Sequence, residues 1–323
     1  MDVSIIVVSW NTKELLCDCL GSILEQAGDV DYDIIVVDNA SSDGSADMVR
    51  SRFPEATLIV EQTNRGYAAA INDGIRVAQG RYVLVLNSDT LICDGAIAKT
   101  VGYADRHPEA AVVGCQVRES PDKVQMTCLR FPSLLNLFLW ASGLARVFKN
   151  NHFFGQEHML WWQRDSEREV DVVSGMFMLV RREAIDEVGL MDDGYFMYYE
   201  DTDWCYRFAK AGWKMVFWPE AAILHIEGGS GSTKQQPPEM FVQQQKSLLR
   251  FFQEHHGVVA FFIARLFLLI VNGSRSCLWG MRSAMSRLLY KSSLREWNEA
   301  SKYWDGVRYC VFGIEPERVN RES

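Results

Sequence analysis

The first 117 residues switch repeatedly between two hydrophobic periods, and that alternation leaves the chain few possible folds. SIIVVSW (4–10), YDIIVVD (32–38), TLIVE (57–61) and RYVLVLN (81–87) are short β-branched runs. Their apolar residues do not alternate with polar ones, the pattern of strands buried on both faces. AAVVGCQV (110–117) supplies a fifth run. Helical stretches lie between them. TKELLCDCLGSILEQA (12–27) lines up Leu16, Leu20, Ile23, Leu24 and Ala27 on one face. SSDGSADMVRSRF has helix-start chemistry at Ser42 and Asp43. GYAAAINDGIRVAQG (66–80) is a small-residue helix ending at a glycine, and DGAIAKTVGYADRH (94–107) is a further helix. The βαβαβαβ order predicts an α/β fold, a mostly parallel central sheet flanked by helices on both faces.

Ligands of such sheets sit beyond the carboxyl ends of the strands. Here those ends carry Ser9 and Asn11, then Asp38 and Asn39, then Asn64 and Arg65, then Asn87, Ser88 and Asp89. Four neighbouring strand ends rich in polar side chains make a constellation rather than a lone motif.

Downstream, FPSLLNLFLWASGLARVF (131–148) reads as an apolar helix, and HFFGQEHMLWWQRDSE as a loop with exposed aromatics. VDVVSGMFMLVRREAIDEVG (170–189) is a strand followed by a short helix. EDTDWCYRFAKAG is a helix that opens on carboxylates, which suit its positive end, and stops at Gly212. KMVFWP and AAILH are short strands, GGSGS is a loop, and a helix begins at the prolines of PPEMF. The tail is helical by pattern to about Trp304. The organisation expected is a domain over 1–235, in two halves (1–117 and 118–235) to which the family resemblance given below assigns nucleotide-sugar and acceptor binding, then a helical region over 236–323.

Composition narrows the function classes. The 323 residues are 48% hydrophobic and 23% charged, a globular balance, and the net charge of −9 argues against nucleic acid as a partner. Residues 241–323 hold 12 Lys/Arg against 7 Asp/Glu, while the preceding 240 hold 21 against 35. An acidic body with a basic tail suggests regions with different partners. The eight cysteines have no metal-knuckle or disulfide spacing, which fits reduced thiols in a cytoplasmic protein. MDVSIIVVSWN lacks the basic start and long apolar run of a signal peptide.

Four features carry chemistry. Asp89 in LNSDT lies over the ligand crevice, where a carboxylate could hold a divalent ion against substrate phosphates; it could equally cap the next turn. Asp38 is placed to meet a nucleotide's base or ribose, or to cap a helix. Arg65 beside a helix start suits phosphate by charge. Glu200, Asp201 and Asp203 are carboxylates that raise one another's pKa. They could provide a general base or form a solvated helix terminus. Around them stand Tyr195, Phe196, Tyr198, Tyr199, Trp204 and Tyr206, rings that could grip a sugar or pack in a core. His225 ends AAILH, and the GGSGS after it could wrap a diphosphate with backbone N–H groups.

IIVVSWN, IIVVDNASSDGS, NRGYAAAIN, LNSDT, SGMFMLVRREAIDEVG and YEDTDWCYRFAKAGW, in this order, resemble family 2 glycosyltransferases, and most closely a rhamnosyltransferase-like branch that builds bacterial surface polysaccharides. The resemblance covers roughly residues 1–232. It implies a GT-A type fold and an inverting transfer from a dTDP- or UDP-sugar, with rhamnose a candidate, to a glycan or lipid-linked acceptor. It implies Mg2+ or Mn2+ held by Asp89 and His225, and Asp201 as the base. Donor contacts would come from Ser9, Asn11, Asp38, Arg65, Asn87 and Ser88, and acceptor contacts from Gly175, Met176, Glu200 and Trp204. One departure stands out: the family's DxD reads Asn87-Ser88-Asp89, so the first carboxylate is an amide.

Two other enzyme classes lack their signatures, since SWNTKE is neither the basic glycine-rich loop of a nucleotidyltransferase nor GxGxxG of a dehydrogenase. A non-catalytic binding or scaffold protein with the same fold is the remaining alternative, kept open by Asn87. VVAFFIARLFLLIV (258–271) has one charge in 14 residues, shorter than the about 20 a spanning helix needs. With Arg250, Arg275, Arg282, Arg287, Trp279 and Tyr290 around it, the 250–290 segment suits a membrane interface. That would place the protein peripherally at the inner face of the cell membrane. A helix buried in a core or in a homodimer fits the same pattern.

Overall fold

The computed structural model describes residues 1–120, 122–226, 237–289 and 294–316. The chain forms two compact units: residues 1–131 with 150–233, and residues 132–149 with 234–323. The apolar stretch 132–149 therefore groups with the C-terminal region rather than with its sequence neighbours.

The first unit opens with β1 (Val3–Ser9), α1 (Lys13–Gln26), β2 (Tyr32–Asp38), α2 (Ser45–Arg52), β3 (Thr57–Val60), α3 (Tyr67–Val77) and β4 (Tyr82–Asn87). The two-sided apolar runs have a direct physical result. In β1, Val3, Ile5 and Val7 enter one core with Leu16, Leu20 and Ile97, while Ile6 and Val8 enter another with Ala70, Ile71 and Phe208. Each fully buried aliphatic side chain contributes roughly 1.5–3 kcal/mol of gross burial. The five in β1 thus supply on the order of 10 kcal/mol. This strand can lie only at the centre of a sheet covered on both sides.

After β4 come β5 (Thr90–Cys93), α4 (Ala96–Arg106), β6 (Ala110–Ser120), β7 (Lys123–Val124), β8 (Cys128–Leu129), β9 (Arg168–Val170), β10 (Val172–Val173), β11 (Phe177–Arg181), α7 (Arg182–Val188), α8 (Glu200–Lys210) and β12 (Lys214–His225). The helices α5 (Leu134–Ala141) and α6 (Leu144–Val147) fall between β8 and β9 in the chain and belong to the second unit. The main sheet runs β3-β2-β1-β4-β11-β6-β12-β5, with β7 beside β6 and β9 beside β12. Pairings among β3, β2, β1 and β4 are parallel, as is β6 with β12, whereas β11 is antiparallel to both β4 and β6. The sheet is mixed because β11 enters it from the downstream half and separates β4 from β6.

Several local expectations shift. Helix α2 begins at Ser45, because Asp43 turns its carboxylate onto the Ser45 N–H and hydroxyl and the Lys13 N–H. Helix α3 ends at Val77 rather than at Gly80. KMVFWP and AAILH form one strand, β12, with an irregular register between Trp218 and Ala222. The stretch after His152 is turn-rich as expected, but Trp162 is buried. The cause is Arg164, itself buried, whose guanidinium donates to the carbonyls of Met159, Trp162, Cys128 and His158 and pulls the turn inward.

In the second unit, the 131–148 stretch splits at Gly143 into α5 and α6. Helix α9 (Pro238–Leu288) consists of two halves joined at Gly257, whose φ of 83° and ψ of 175° are reached by glycine without strain. Gln245 and Asn272 lie 27 positions apart, roughly 40 Å on a straight helix. They exchange two amide hydrogen bonds of 2.8 and 3.2 Å, so the halves fold back on each other. Helix α10 (Leu294–Phe312) packs on them through Arg265 to the Cys310 carbonyl and Ser276 to the Ala300 carbonyl, and extends beyond Trp304.

Candidate active site

The four parallel strands end side by side, and their loops are knitted together by short polar side chains. Ser9 Oγ lies 2.9 Å from Thr12 Oγ1, which lies 3.0 Å from Ser88 Oγ. This hydroxyl chain links the ends of β1 and β4. Asn11, with a positive φ of 54°, accepts from the Ser42 N–H at 2.8 Å and so organises the loop after β2. Asn39 ties that loop to the β3–α3 loop, donating to Asn64 Oδ1 and the Gly66 carbonyl and accepting from the Arg65 N–H. Asp38 is 1% exposed. Its Oδ1 accepts from the Ser41 N–H at 2.9 Å, while Oδ2 has no protein partner. A buried carboxylate oxygen without a donor marks a place where one should arrive.

At the far end of the crevice, β12 returns antiparallel to β5, and His225 pairs with Thr90 in register. That brings His225 Nε2 to 3.3 Å from Asp89 Oδ2. His225 Nδ1 is 3.0 Å from Gln125 Oε1. Asp89 and His225 thus set a carboxylate beside an imidazole, a donor set that suits a divalent metal. The expected pair, Asp89 and His225, is thus brought together across 136 residues. Gln125, which orients the histidine, gave no sequence signal. The GGSGS segment (228–232) and its expected diphosphate contact lie outside the described residues.

Helix α8 begins at the crevice after two successive tyrosines, Tyr198 and Tyr199, with left-handed φ of 66° and 68°. Such strain concentrates at functional sites. Glu200 follows, 7% exposed, with Oε2 unpartnered. Burial, and then the neighbouring Asp201 charge, push its carboxyl up to about 8. Asp201 is also raised by burial, although hydrogen bonds oppose the rise. Its Oδ1 accepts from the Thr202 N–H at 2.6 Å and the Thr202 hydroxyl at 3.1 Å, and Oδ2 accepts from the Gly175 N–H at 3.1 Å. Two carboxylate oxygens offer about four lone pairs. One, on Oδ2, remains for an incoming hydroxyl.

Tyr67, at the first position of α3, joins the two halves of the site. Its hydroxyl is 3.0 Å from Asn87 Oδ1 and 3.3 Å from the Gly175 carbonyl, and its N–H donates to the Phe196 carbonyl at 2.8 Å. Burial raises its phenol well above the usual range, and the charges of Glu200, Asp201 and Asp89 add to the effect. Through its hydroxyl, Tyr67 links the end of β4 that carries Asn87 to the Gly175 residue whose N–H holds Asp201. Gly66 allows this approach: at φ 90° its backbone lies so close to Phe196 that a Cβ would stand 2.4 Å from that carbonyl. Tyr67 sits in NRGYAAAIN, but its position after the glycine does not disclose its reach to Asn87.

One expected contact is corrected. Trp204 has no exposed surface, donates from Nε1 to the Gly189 carbonyl and packs on Phe208. It faces inward from α8 as a core residue, and Tyr195 is likewise buried. Arg65 is half-exposed and pairs with Glu61 and Asp73. Gly175 is buried while Met176 is half-buried, and the Met176 carbonyl accepts from the Asn87 N–H. The 174–176 turn therefore borders the donor side as closely as Asp201.

This mixed sheet with its polar strand ends is the GT-A type of glycosyltransferase fold. Residues 1–252 match the family described as "Glycosyltransferase like family 2", and the chain belongs to that family. A relative from Mycobacterium tuberculosis, N-acetylglucosaminyl-diphospho-decaprenol L-rhamnosyltransferase, is 32% identical over 206 residues, covering 59% of this chain and 66% of its own. The poly(ribitol-phosphate) beta-glucosyltransferase of Bacillus spizizenii is 30% identical over 119 residues, 35% of this chain and 19% of its own. In structure, the mannosyltransferase PcManGT of Pyrobaculum calidifontis, solved with GDP-Man and Mn2+, superposes with a TM-score of 0.57 at 17% identity. The match covers 97% of this chain and 88% of that one.

The state of Glu200 has a measurable consequence. A folded-state value near 8, against 4.5 for a free glutamate, means the folded chain keeps a proton that the unfolded chain releases. Stability therefore falls as pH rises from about 4.5 to about 8. Glu200→Gln should flatten this fall, so that its melting temperature gains on the parent's from pH 5 to pH 8.5. Parallel pH profiles would show that Glu200 is ionised in the folded protein.

Proposed function

We propose that this chain is an inverting, metal-assisted glycosyltransferase that moves a sugar from a dTDP- or UDP-donor to a lipid-linked glycan. L-Rhamnose is the sugar favoured, since a rhamnosyltransferase shares 32% identity with this chain over 206 residues. The observation that supports the reading is the hydrogen-bonded path from Asn87 through Tyr67 and Gly175 to Asp201, with His225 3.3 Å from Asp89.

Asp38 Oδ2 accepts from the base or ribose of the donor, since it alone of the strand-end carboxylate oxygens is buried without a donor. Ser9, Thr12 and Ser88 present a chain of hydroxyls along the same edge. Mg2+ or Mn2+ held by Asp89 and His225 would supply Lewis-acid neutralisation of the leaving diphosphate. Asp201 takes the proton of the acceptor hydroxyl through the lone pair left on Oδ2. Its burial makes it a stronger base than a free carboxylate, while the Gly175 and Thr202 donors keep it oriented. Attack from the face opposite the diphosphate inverts the anomeric centre. Glu200, protonated near neutrality, can donate to an acceptor oxygen beside Asp201.

Asp201→Asn should leave donor affinity within about threefold and lower turnover on the order of a thousandfold, the size of a lost general base. Calorimetric binding of dTDP-L-rhamnose and radiolabel transfer separate the two, and wild-type turnover in the variant would remove Asp201 from the role. Exhaustive EDTA treatment should abolish transfer, with Mn2+ restoring it; full activity after chelation would overturn the metal role of Asp89 and His225.

The second unit gives a lipid-linked acceptor a place to be met. Residues 258–289 hold four arginines and no acidic residue. An 18-residue window of α9 has a mean hydropathy of 2.0 and is 28% buried. Val258, Phe262, Leu266 and Ile270, spaced four apart, are each more than half exposed. An apolar stripe that includes and is followed by arginines with no carboxylate up to residue 289 fits an anionic lipid surface, where each basic residue adds about 1 kcal/mol. The protein should float with phosphatidylglycerol vesicles and not with phosphatidylcholine. Leu266→Glu with Ile270→Glu should abolish flotation. If the pair instead splits a dimer and leaves flotation intact, the stripe faces a second copy.

A further inference from the structure

We propose that Tyr67 is a positioning residue for the transfer reaction, whose hydroxyl sets the catalytic carboxylate of Asp201 against the donor-side turn Asn87-Ser88-Asp89. The inference rests on the reading of Asp201 as the base.

Three segments that are remote in sequence meet at this side chain. The phenol oxygen lies 3.0 Å from Asn87 Oδ1 at the end of β4. It lies 3.3 Å from the carbonyl of Gly175, the residue whose N–H holds Asp201 Oδ2 at 3.1 Å. The Tyr67 N–H holds the Phe196 carbonyl, in the loop that leads into α8. From Asn87 to Asp201 there is one continuous polar path: amide, phenol, Gly175, carboxylate. A second tie closes the same loop, because the Asn87 N–H donates to the Met176 carbonyl. Tyr67 and the Asn87 N–H thus hold two successive carbonyls of the turn, those of Gly175 and Met176, while the Gly175 N–H donates to Asp201.

Both partners of the phenol, Asn87 Oδ1 and the Gly175 carbonyl, are acceptors, so its one proton serves the two together, with Asn87 at the shorter distance. The bond orients the Asn87 amide, which stands where the family's DxD has its first carboxylate. A carboxylate at 87 would bring a further negative charge to a phenol that already faces Asp89, Glu200 and Asp201. The amide keeps the donor side bonded to Tyr67 without that added repulsion. Phenylalanine would fill the same space and lose both contacts, leaving the peptide of Gly175 free to turn. A misplacement of about 1 Å can cost on the order of a hundredfold in rate.

The test is Tyr67→Phe, measured two ways. With dTDP-L-rhamnose as the probe donor, kcat should fall tenfold to a hundredfold while the donor KM moves less than threefold. A fall in KM-limited binding with kcat retained would overturn the proposal. The second measurement needs no donor: carbon-13 titration of labelled aspartate carboxyls, with Asp201 assigned by its absence in Asp201→Asn. Loss of the oriented Gly175 N–H should move the Asp201 midpoint upward. The other groups around it, Glu200 and Cys205 on α8, Tyr199 at its start and Asp89 across Tyr67, are unchanged by the substitution. An unmoved midpoint overturns the proposal even if the wild type proves inactive on dTDP-L-rhamnose, an outcome that would defeat only the donor assignment. Asn87→Ala serves as a second variant should Tyr67→Phe fold poorly. It leaves the Gly175 contact in place, so it should lower kcat without moving the Asp201 midpoint, and an upward shift equal to that expected for Tyr67→Phe would count against the relay.

Discussion

The antiparallel pairing of β11 with β4 is the constraint on which the site depends. Phe177 pairs with Leu86, and from there the strands run in opposite directions to Arg181 and Tyr82. The carboxyl end of β4 therefore lies beside the start of β11. That juxtaposition puts Asn87, Ser88 and Asp89 next to the Ser174–Gly175–Met176 turn, whose backbone in turn holds Asp201. A parallel neighbour would have begun at the opposite edge of the sheet, and the turn would have lain far from the ligand crevice. One reversed strand thus joins the polar end of β4 to the turn that holds Asp201.

Burial then sets the chemistry. Glu200 and Asp201 sit at the start of α8, reached through two tyrosines in left-handed conformation. Withdrawing these carboxylates from water raises both, but they are supported differently. Asp201 receives three donors and remains the better anion, while Glu200 has a buried oxygen with none. Adjacent residues in one helical turn are thereby separated into an oriented carboxylate and a carboxyl that holds its proton near neutrality. At the other end of the crevice Asp89 and His225 stand 3.3 Å apart, a carboxylate beside an imidazole.

Much of this could be read along the chain. The β-branched runs became β1 to β4 within a residue or two, and these four strands are neighbours in the sheet. Asp38, Asp89, Asp201 and His225 all stand at the ends of their elements around the crevice. What misled was side-chain direction. Trp204, three residues after Asp201, was read as a sugar-gripping ring, yet at that spacing on α8 it turns into the core.

By itself the amino-acid sequence determined where strands and helices lie, which faces are apolar and which residue types crowd the strand ends, since these follow from local period and local chemistry. Only the tertiary structure decided that β11 enters the sheet reversed, that Gly257 folds α9 back on itself, and that Tyr67 links Asn87 to Gly175. The physical reason is that a buried apolar strand has the same pattern whichever way it runs. A contact between residues 67, 87 and 175 exists only after three segments, distant in the chain, have been packed against one sheet.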